Sequence, residues 1–411
     1  MPGSPRGTPV FLLNPLQDRL VASLLIRVTS PCVPGGDIVR LVVAVMSEDQ
    51  LGSVCLRSQA GRASMATLFD QEESEPAVER RIMPKVVCMS LNAEEGPHWK
   101  IFEEAGWECS VAPRDRDYKK IENVIEVLAD ADAAVAVAEP YPEQVITSLP
   151  KLRAMVRTGV GFDAIDLAAC DDAGVVVTTT PGVNHHSVAE HTIAMLMAVS
   201  RDFPERDIRV RECRWKRVAT PRVMGRTIGI LGLGRIGRAV ATRAHGLGMK
   251  ILAYDPYPNR EFVEQWGVTL CDLPTILSQS DYVSLHLPAT PETTHLINAE
   301  TLQQMKSGAI LINTARGSLV DEPALVEALQ NGHLGGAGLD VFEVEPLPAS
   351  SPLLKMNNVL LSGHVAGLDQ ESHDDTFTMV ARILLDLYNG GWPVECIQNL
   401  KGATTWLWQR G

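Results

Sequence analysis

Residues 227–248 read TIGILGLGRIGRAVATRAHGLG, and the fold turns on what this stretch is. An apolar run, TIGIL, meets a glycine-rich turn, and an amphipathic segment follows. That order predicts a buried strand, a tight loop and a helix. Gly232, Gly234 and Gly237 stand as G-x-G-x-x-G. Gly232 permits the tight turn, Gly234 lets backbone approach a pyrophosphate, and Gly237 lets the helix pack on the strand. The helix N-terminus adds free N–H groups and the positive end of a dipole for phosphates. A glycine turn in an unrelated α/β protein is the plain alternative, and the strand–loop–helix context weighs against it.

Downstream, ILAYDPYP ends a strand with Asp255, about twenty residues beyond the glycines. A carboxylate there accepts hydrogen bonds from ribose hydroxyls and repels a 2′-phosphate. NAD is therefore expected over NADP, with Arg260 near enough in sequence to bear on the choice. SDYVSLHL, GAILINTA, GAGLDVF and NVLLSG continue the strand series. Upstream, KVVCMS, ECSVA, DAAVAVA, LRAMVRT and GVVVTTT alternate with amphipathic segments in the same way. Such alternation means parallel sheets covered by helices on both faces. The expected fold is α/β, with two Rossmann-like or flavodoxin-like parallel-sheet domains and a cleft between them. SVAEHTIAMLMAVSRDF reads as a long helix, apolar around most of its girth, which suits burial between domains or subunits.

The expected boundaries are a nucleotide domain over 182–364 and a discontinuous substrate domain over 83–181 and 365–411. Residues 1–82 hold Pro/Gly/Ser clusters and an acidic patch with no sustained period, so a poorly ordered extension is expected there. Of 411 residues, 45% are hydrophobic and 21% charged, ordinary for a globular protein. A net charge of −13 argues against non-specific nucleic-acid binding. Eight scattered cysteines form no C-x-x-C pair, so neither a zinc site nor a disulfide framework is suggested. Apolar runs are short or interrupted, and the N-terminus lacks a signal layout, so no membrane partner and a cytoplasmic location are expected.

Three segments carry candidate chemistry. INTARGSLVDE delivers Arg316 at a strand end, where a guanidinium fork can hold a carboxylate and polarise a carbonyl. An exposed loop arginine is the alternative. GAGLDVFEVEPLP offers Asp340, Glu343 and Glu345, and NNVLLSGHVAGLD places His364 at the next strand end. A carboxylate paired with a histidine fixes its tautomer and stabilises the imidazolium. Most loop acids are merely solvated, and a lone histidine is more often structural. His185, His186 and His191 lack a carboxylate at zinc spacing and read as capping or packing residues, and His286 as structural.

Residues from about 84 to 400 resemble the D-isomer-specific 2-hydroxyacid dehydrogenases. That family includes phosphoglycerate dehydrogenase, hydroxypyruvate and glyoxylate reductases, and D-lactate dehydrogenase. The resemblance rests on VRTGVGFDAIDL, GLGRIG, NTARGSLVDE and GLDVFEVEPLP followed by GHVAG. It implies catalytic roles for Arg316, Glu345 and His364. It also implies NAD contacts from Arg235, Ile236, Asp255, Leu287, Pro288, Thr314 and Asp340, the last at the nicotinamide carboxamide. Gly159, Val160 and Gly161 would offer N–H groups to the substrate carboxylate, Arg157 would reach a distal anionic group, and Asn184 would lie near substrate. A strand-end ion pair is an equal alternative for Arg157. The implied function is reduction of a 2-oxo acid, phosphoglycerate dehydrogenase-like, with a glyoxylate or hydroxypyruvate reductase as the alternative. An NAD-sensing corepressor is the alternative of another class. The family usually dimerises through the long helix. Two departures stand out: Gly363 replaces a common proline, and the sequence ends soon after its last helix, so no serine-binding regulatory domain is expected.

Overall fold

Five short apolar runs pair edge to edge in a wholly parallel sheet. They are β1 (Lys85–Cys88), β2 (Glu108–Val111), β3 (Ala133–Ala136), β4 (Ala154–Arg157) and β5 (Val176–Thr179), in the order β2-β1-β3-β4-β5. The computed structural model describes residues 83–89, 93–402 and 406–408, so the expected 1–82 extension lies outside the described residues. Every residue of β3 and β5 is buried, because helices cover both faces. That is why these strands read as continuous apolar runs rather than alternating ones.

A second parallel sheet collects β6 (Thr227–Leu231), β7 (Lys250–Tyr254), β8 (Thr269–Leu270), β9 (Tyr282–Leu285), β10 (Ile310–Asn313), β11 (Gly336–Leu339) and β12 (Val359–Leu361). Its order is β12-β11-β10-β9-β6-β7-β8. The chain moves outward from β6 to β8, then returns to the other flank of β6 with β9. Strand order therefore reverses at β6, and a crevice opens at its carboxyl end, where the glycine loop begins. The edge strand β8 has only two residues and no apolar run to announce it in the sequence.

Two chain crossings join the sheets. The first leads from β5 into α5 (His185–Ser200), which packs on β10, β11 and α7 (Arg235–Gly246). The second leaves β12 and enters α12 (Gln370–Tyr388), which returns to the first sheet. There Phe377, Val380, Ala381, Leu384 and Leu387 pack with Val86, Val135, Ala154 and Val156. The segment beyond α12 then brackets β5: Val177 N donates to Asn399 Oδ1 at 2.7 Å and Asn399 Nδ2 donates to the Val175 carbonyl at 2.9 Å. The crossings touch each other, since Ser187 Oγ donates to the Ala366 carbonyl at 2.8 Å.

Within this one chain α5 is buried along one side. Its buried residues are Ser187, Val188, Ala189, Thr192, Met195, Leu196 and Ser200, which line one broad face toward the second sheet. The remaining apolar positions stay partly open within this single chain. No helix among the described residues is long and apolar enough to cross a membrane.

Candidate active site

The glycine loop is built by close approach. Gly232 has φ +97, and a methyl carbon placed on it would lie 2.5 Å from the His286 carbonyl oxygen. A methyl on Gly237 would lie 1.9 Å from the Gly232 carbonyl oxygen. Only glycine fits either position, and the second contact presses α7 onto the loop as the motif requires. The loop thereby lies against the end of β9, bringing Leu287 beside Gly232. Gly234 caps α7 and Arg235 and Ile236 open it, leaving the first N–H groups of α7 facing the crevice. Asp255 follows β7 and accepts from Leu233 N at 2.6 Å and Tyr257 N at 2.7 Å, so its carboxylate borders the same loop. Arg260 opens a separate short helix beyond it. These residues fit a dinucleotide: a cradle with no room for side chains, a free helix N-terminus and a carboxylate at the next strand end.

At the other end of the crevice stands His364. Its φ is +57, a left-handed conformation that costs a non-glycine residue about 1–2 kcal/mol. The turn is held there by Asp340, whose carbonyl accepts from His364 N at 2.7 Å. The Asp340 carboxylate accepts from Ser362 Oγ at 2.5 Å, Val365 N at 3.0 Å and Ala366 N at 2.9 Å. Asp340 is fully buried. Its carboxylate turns inward and shapes the loop carrying His364. His191 on α5 joins this network through Ser362 Oγ at 2.9 Å, and Thr314 is buried against Thr192 at 2.8 Å.

The imidazole is oriented from the other side. His364 Nδ1 hydrogen-bonds to Glu345 Oε2 at 2.8 Å, while Phe342 N donates to Glu345 Oε1 at 3.0 Å. A carboxylate acceptor places the proton on Nδ1 and leaves Nε2 for the crevice. Burial alone would raise the Glu345 carboxyl, but the His364 hydrogen bond and charge, with the Phe342 N–H and Arg316, outweigh it and hold the carboxyl low. Glu345 is thus an anion beside the ring.

Arg316 follows β10 and reaches across the cleft. Its Nε donates to Asp163 Oδ2 at 3.0 Å on the loop after β4. A methyl carbon on Gly161 would lie 1.5 Å from Arg316 Nη2, so the guanidinium rests directly on that glycine. Lys119 makes a second bridge, donating to the Glu345 carbonyl at 2.7 Å. Of the three backbone donors expected for a carboxylate, Gly159 N is already engaged by Thr180 Oγ1 at 2.7 Å. That expectation is corrected to the two that remain, on Val160 and Gly161. Arg157 ends β4 half-buried, with Nη1 donating to the Thr158 carbonyl at 2.5 Å. Burial, and then repulsion from Arg316, lower its pKa. Asn184 sits at the first crossing against Gly367, where a methyl would meet its Nδ2 at 2.8 Å.

Two residues of this site were not singled out in the sequence, Asp163 and Glu139. Glu139 lies just past β3 and accepts from Val137 N at 2.8 Å. Burial raises its carboxyl, and Arg157 pulls it back in part. His286 is structural as expected, bonded to Ser284 Oγ at 2.8 Å and pushed down to about 3 by burial.

The family model described as D-isomer specific 2-hydroxyacid dehydrogenase, NAD binding domain, matches residues 193–366. A glyoxylate reductase of Korarchaeum cryptofilum is 43% identical over 303 residues, covering 72% of this chain and 90% of the relative. The chain belongs to the D-isomer-specific 2-hydroxyacid dehydrogenase family. It is an oxidoreductase acting on the CH–OH group of 2-hydroxy acids, with NAD as cofactor. A D-3-phosphoglycerate dehydrogenase of Mycobacterium bovis is 41% identical over 270 residues, covering 65% of this chain and 50% of the relative. The chain therefore matches about half the length of that relative. Among solved structures, the TT0316 protein of Thermus thermophilus superposes with a TM-score of 0.70 at 34% identity, covering 76% and 99% of the two chains. The apo D-lactate dehydrogenase of Escherichia coli gives a TM-score of 0.68 at 30% identity, covering 76% and 99%.

Proposed function

We propose that this dehydrogenase reduces a short 2-oxo acid to the D-2-hydroxy acid, with Arg316, Glu345 and His364 as its catalytic residues. The observation carrying this reading is the His364 Nδ1 to Glu345 Oε2 bond at 2.8 Å, beside an arginine drawn across the cleft onto the Gly161 loop. When bound along the glycine loop, NADH supplies the hydride. Gly232, Gly234, Arg235, Ile236, Gly237, Asp255, Leu287, Pro288, Thr314 and Asp340 are the residues that would hold it. Arg316 orients the substrate carboxylate and polarises the C2 carbonyl, aided by the N–H groups of Val160 and Gly161. His364 gives its Nε2 proton to the carbonyl oxygen, while the Glu345 carboxylate holds Nδ1 and keeps the ring aimed at the substrate. In oxidation His364 takes the proton back. Closing of the two halves about the crossings at Pro181 and His364 excludes water from this chemistry.

For the substrate, a phosphoglycerate dehydrogenase-like acid is favoured. Arg157 and Arg316 are close enough to lower the Arg157 pKa, while only Arg316 has an acidic partner within ion-pair distance among the described residues. Two neighbouring guanidiniums suit an acid with a second anionic group. A glyoxylate or hydroxypyruvate reductase is the second reading, favoured by the 90% coverage of the archaeal glyoxylate reductase. Rates of NADH oxidation with 3-phosphohydroxypyruvate, hydroxypyruvate and glyoxylate separate them. Preference for the phosphorylated acid that disappears in Arg157→Gln supports the first, and equal use of all three supports the second.

A homodimer belongs to the same proposal. The helix at Phe203–Arg211 buries none of its residues, and Phe203, Ile208, Val210 and Trp215 are all exposed. An apolar surface of that kind marks a protein contact, and sedimentation of the purified chain tests it.

A further inference from the structure

Away from the cleft, beneath the first sheet, three ligand-type side chains converge. Cys88 ends β1, Cys109 lies on the edge strand β2, and His98 opens α1 (Pro97–Glu104). The two sulfurs are 3.9 Å apart. They and a ring nitrogen of His98 all lie within 4.8 Å of one another. We infer that Cys88, Cys109 and His98 form a binding site for a thiophilic divalent metal ion of the zinc class.

The sulfur spacing is the first argument. Two thiolates bound tetrahedrally at about 2.3 Å stand about 3.8 Å apart, close to the spacing observed. A disulfide needs about 2.05 Å, roughly half that distance. The sulfurs therefore already have the spacing of a metal-bound pair.

The histidine is the second and independent argument. His98 is fully buried, and its Nε2 lies 3.1 Å from the Ala93 carbonyl. A carbonyl only accepts, so Nε2 carries the proton and Nδ1 presents a bare lone pair. That Nδ1 is buried with no hydrogen-bond partner. An unsatisfied buried acceptor costs about 1–3 kcal/mol, and a metal ion held through Nδ1 would relieve it. A ligating histidine ordinarily donates its other N–H to a carbonyl or carboxylate, and the Ala93 carbonyl already fills that role.

A cavity of about 530 Å³ is lined by Glu94, Gly96, Arg114, Asp369 and His373 among others. Gly96, which lines this cavity, stands beside His98: a methyl on it would lie 3.0 Å from Nδ1. No fourth protein ligand joins the group among the described residues, so water would complete a tetrahedron. Binding releases the two thiol protons to solvent. Because the thiols must lose their protons to bind, affinity should strengthen as pH rises. Metal would clip the edge strand and the first helix to β1, acting on stability rather than on hydride transfer.

The test is titration of the reduced full-length chain with Co²⁺ alone. The expected result is one equivalent giving thiolate-to-cobalt charge-transfer absorption with tetrahedral visible bands, displaced by Zn²⁺ and accompanied by a rise in Tm. Cys109→Ser, on the half-buried edge strand, should abolish the signal while leaving NADH oxidation intact. Cys213→Ser, at an exposed position, should keep it. His98→Gln should weaken binding at least tenfold. Absence of the absorption in the wild-type chain, or its survival in both Cys88→Ser and Cys109→Ser, would overturn the site. Retained NADH oxidation in those variants shows that they are folded.

Discussion

Replacing Gly161 with alanine isolates the role of Arg316 without touching it. The added methyl carbon would stand 1.5 Å from Arg316 Nη2, 2.7 Å from Cζ and 3.2 Å from Asp163 Oδ2. Ordinary contact needs about 3.5–4.0 Å, so the guanidinium must retreat by roughly 2 Å. The obstructing atoms are the far end of a flexible side chain, and Gly161 is absent from the left-handed backbone positions. The fold should therefore absorb the change within about 0.5 kcal/mol, as other surface substitutions do. Catalysis should not, because a misplacement of about 1 Å at the reacting centre costs about 100-fold, or about 2.7 kcal/mol of barrier. The assay compares kcat and KM for the preferred 2-oxo acid with the Kd for NADH and the Tm. The expected result is kcat/KM down about 100-fold with NADH affinity and Tm unchanged. A kcat/KM within threefold of wild type would refute the placement of Arg316 at the substrate. Parallel loss of NADH affinity and Tm would refute the claim that the clash is local.

Asp163→Asn keeps the shape but removes the charge opposite Arg316, and kcat/KM should fall about tenfold with NADH affinity unchanged, as steady-state kinetics and fluorescence titration would show. Asp255→Ala should weaken NADH binding about tenfold and narrow the preference over NADPH, measured by direct titration with each dinucleotide. Glu345 has a lowered carboxyl in the folded chain, so its stabilising contribution is full above the ordinary carboxylate range and is lost as pH falls through the folded value. Glu345→Gln should therefore show a shallower loss of stability on acidification, and kcat about 100-fold down. His286 is lowered to about 3, so the unfolded chain takes up a proton that the folded chain refuses between about pH 6.5 and pH 3. Wild-type stability should fall across that window by up to about 5 kcal/mol from this group. Denaturant unfolding of His286→Asn at several pH values should show that component removed.

Much of the architecture was legible because buried parallel strands leave little choice of residue. VAVA-type runs and the glycine loop each meet a constraint that few other sequences satisfy. The pairing of Glu345 with His364 was also legible, since both lie just past successive strands. Other features depend on tertiary approach. Asp163 and Glu139 are single acids in polar loops, indistinguishable in sequence from solvated ones until the cleft brings arginines to them. The inward turn of Asp340 depends on Ser362, Val365 and Ala366 across 22 to 26 residues of chain. β8 escaped because an edge strand of two residues needs no apolar run. Cys88, His98 and Cys109 follow no metal-binding spacing, because pairing of β1 with β2 alone makes the two cysteines neighbours.

The central claim is that His364 delivers the proton while NADH delivers the hydride. The most direct measurement is single-turnover oxidation of pre-bound NADH by the preferred 2-oxo acid, in the wild-type chain and in His364→Gln. The variant should bind NADH with unchanged affinity and oxidise it at least 100-fold more slowly. Single-turnover rates that match in the two proteins would contradict it.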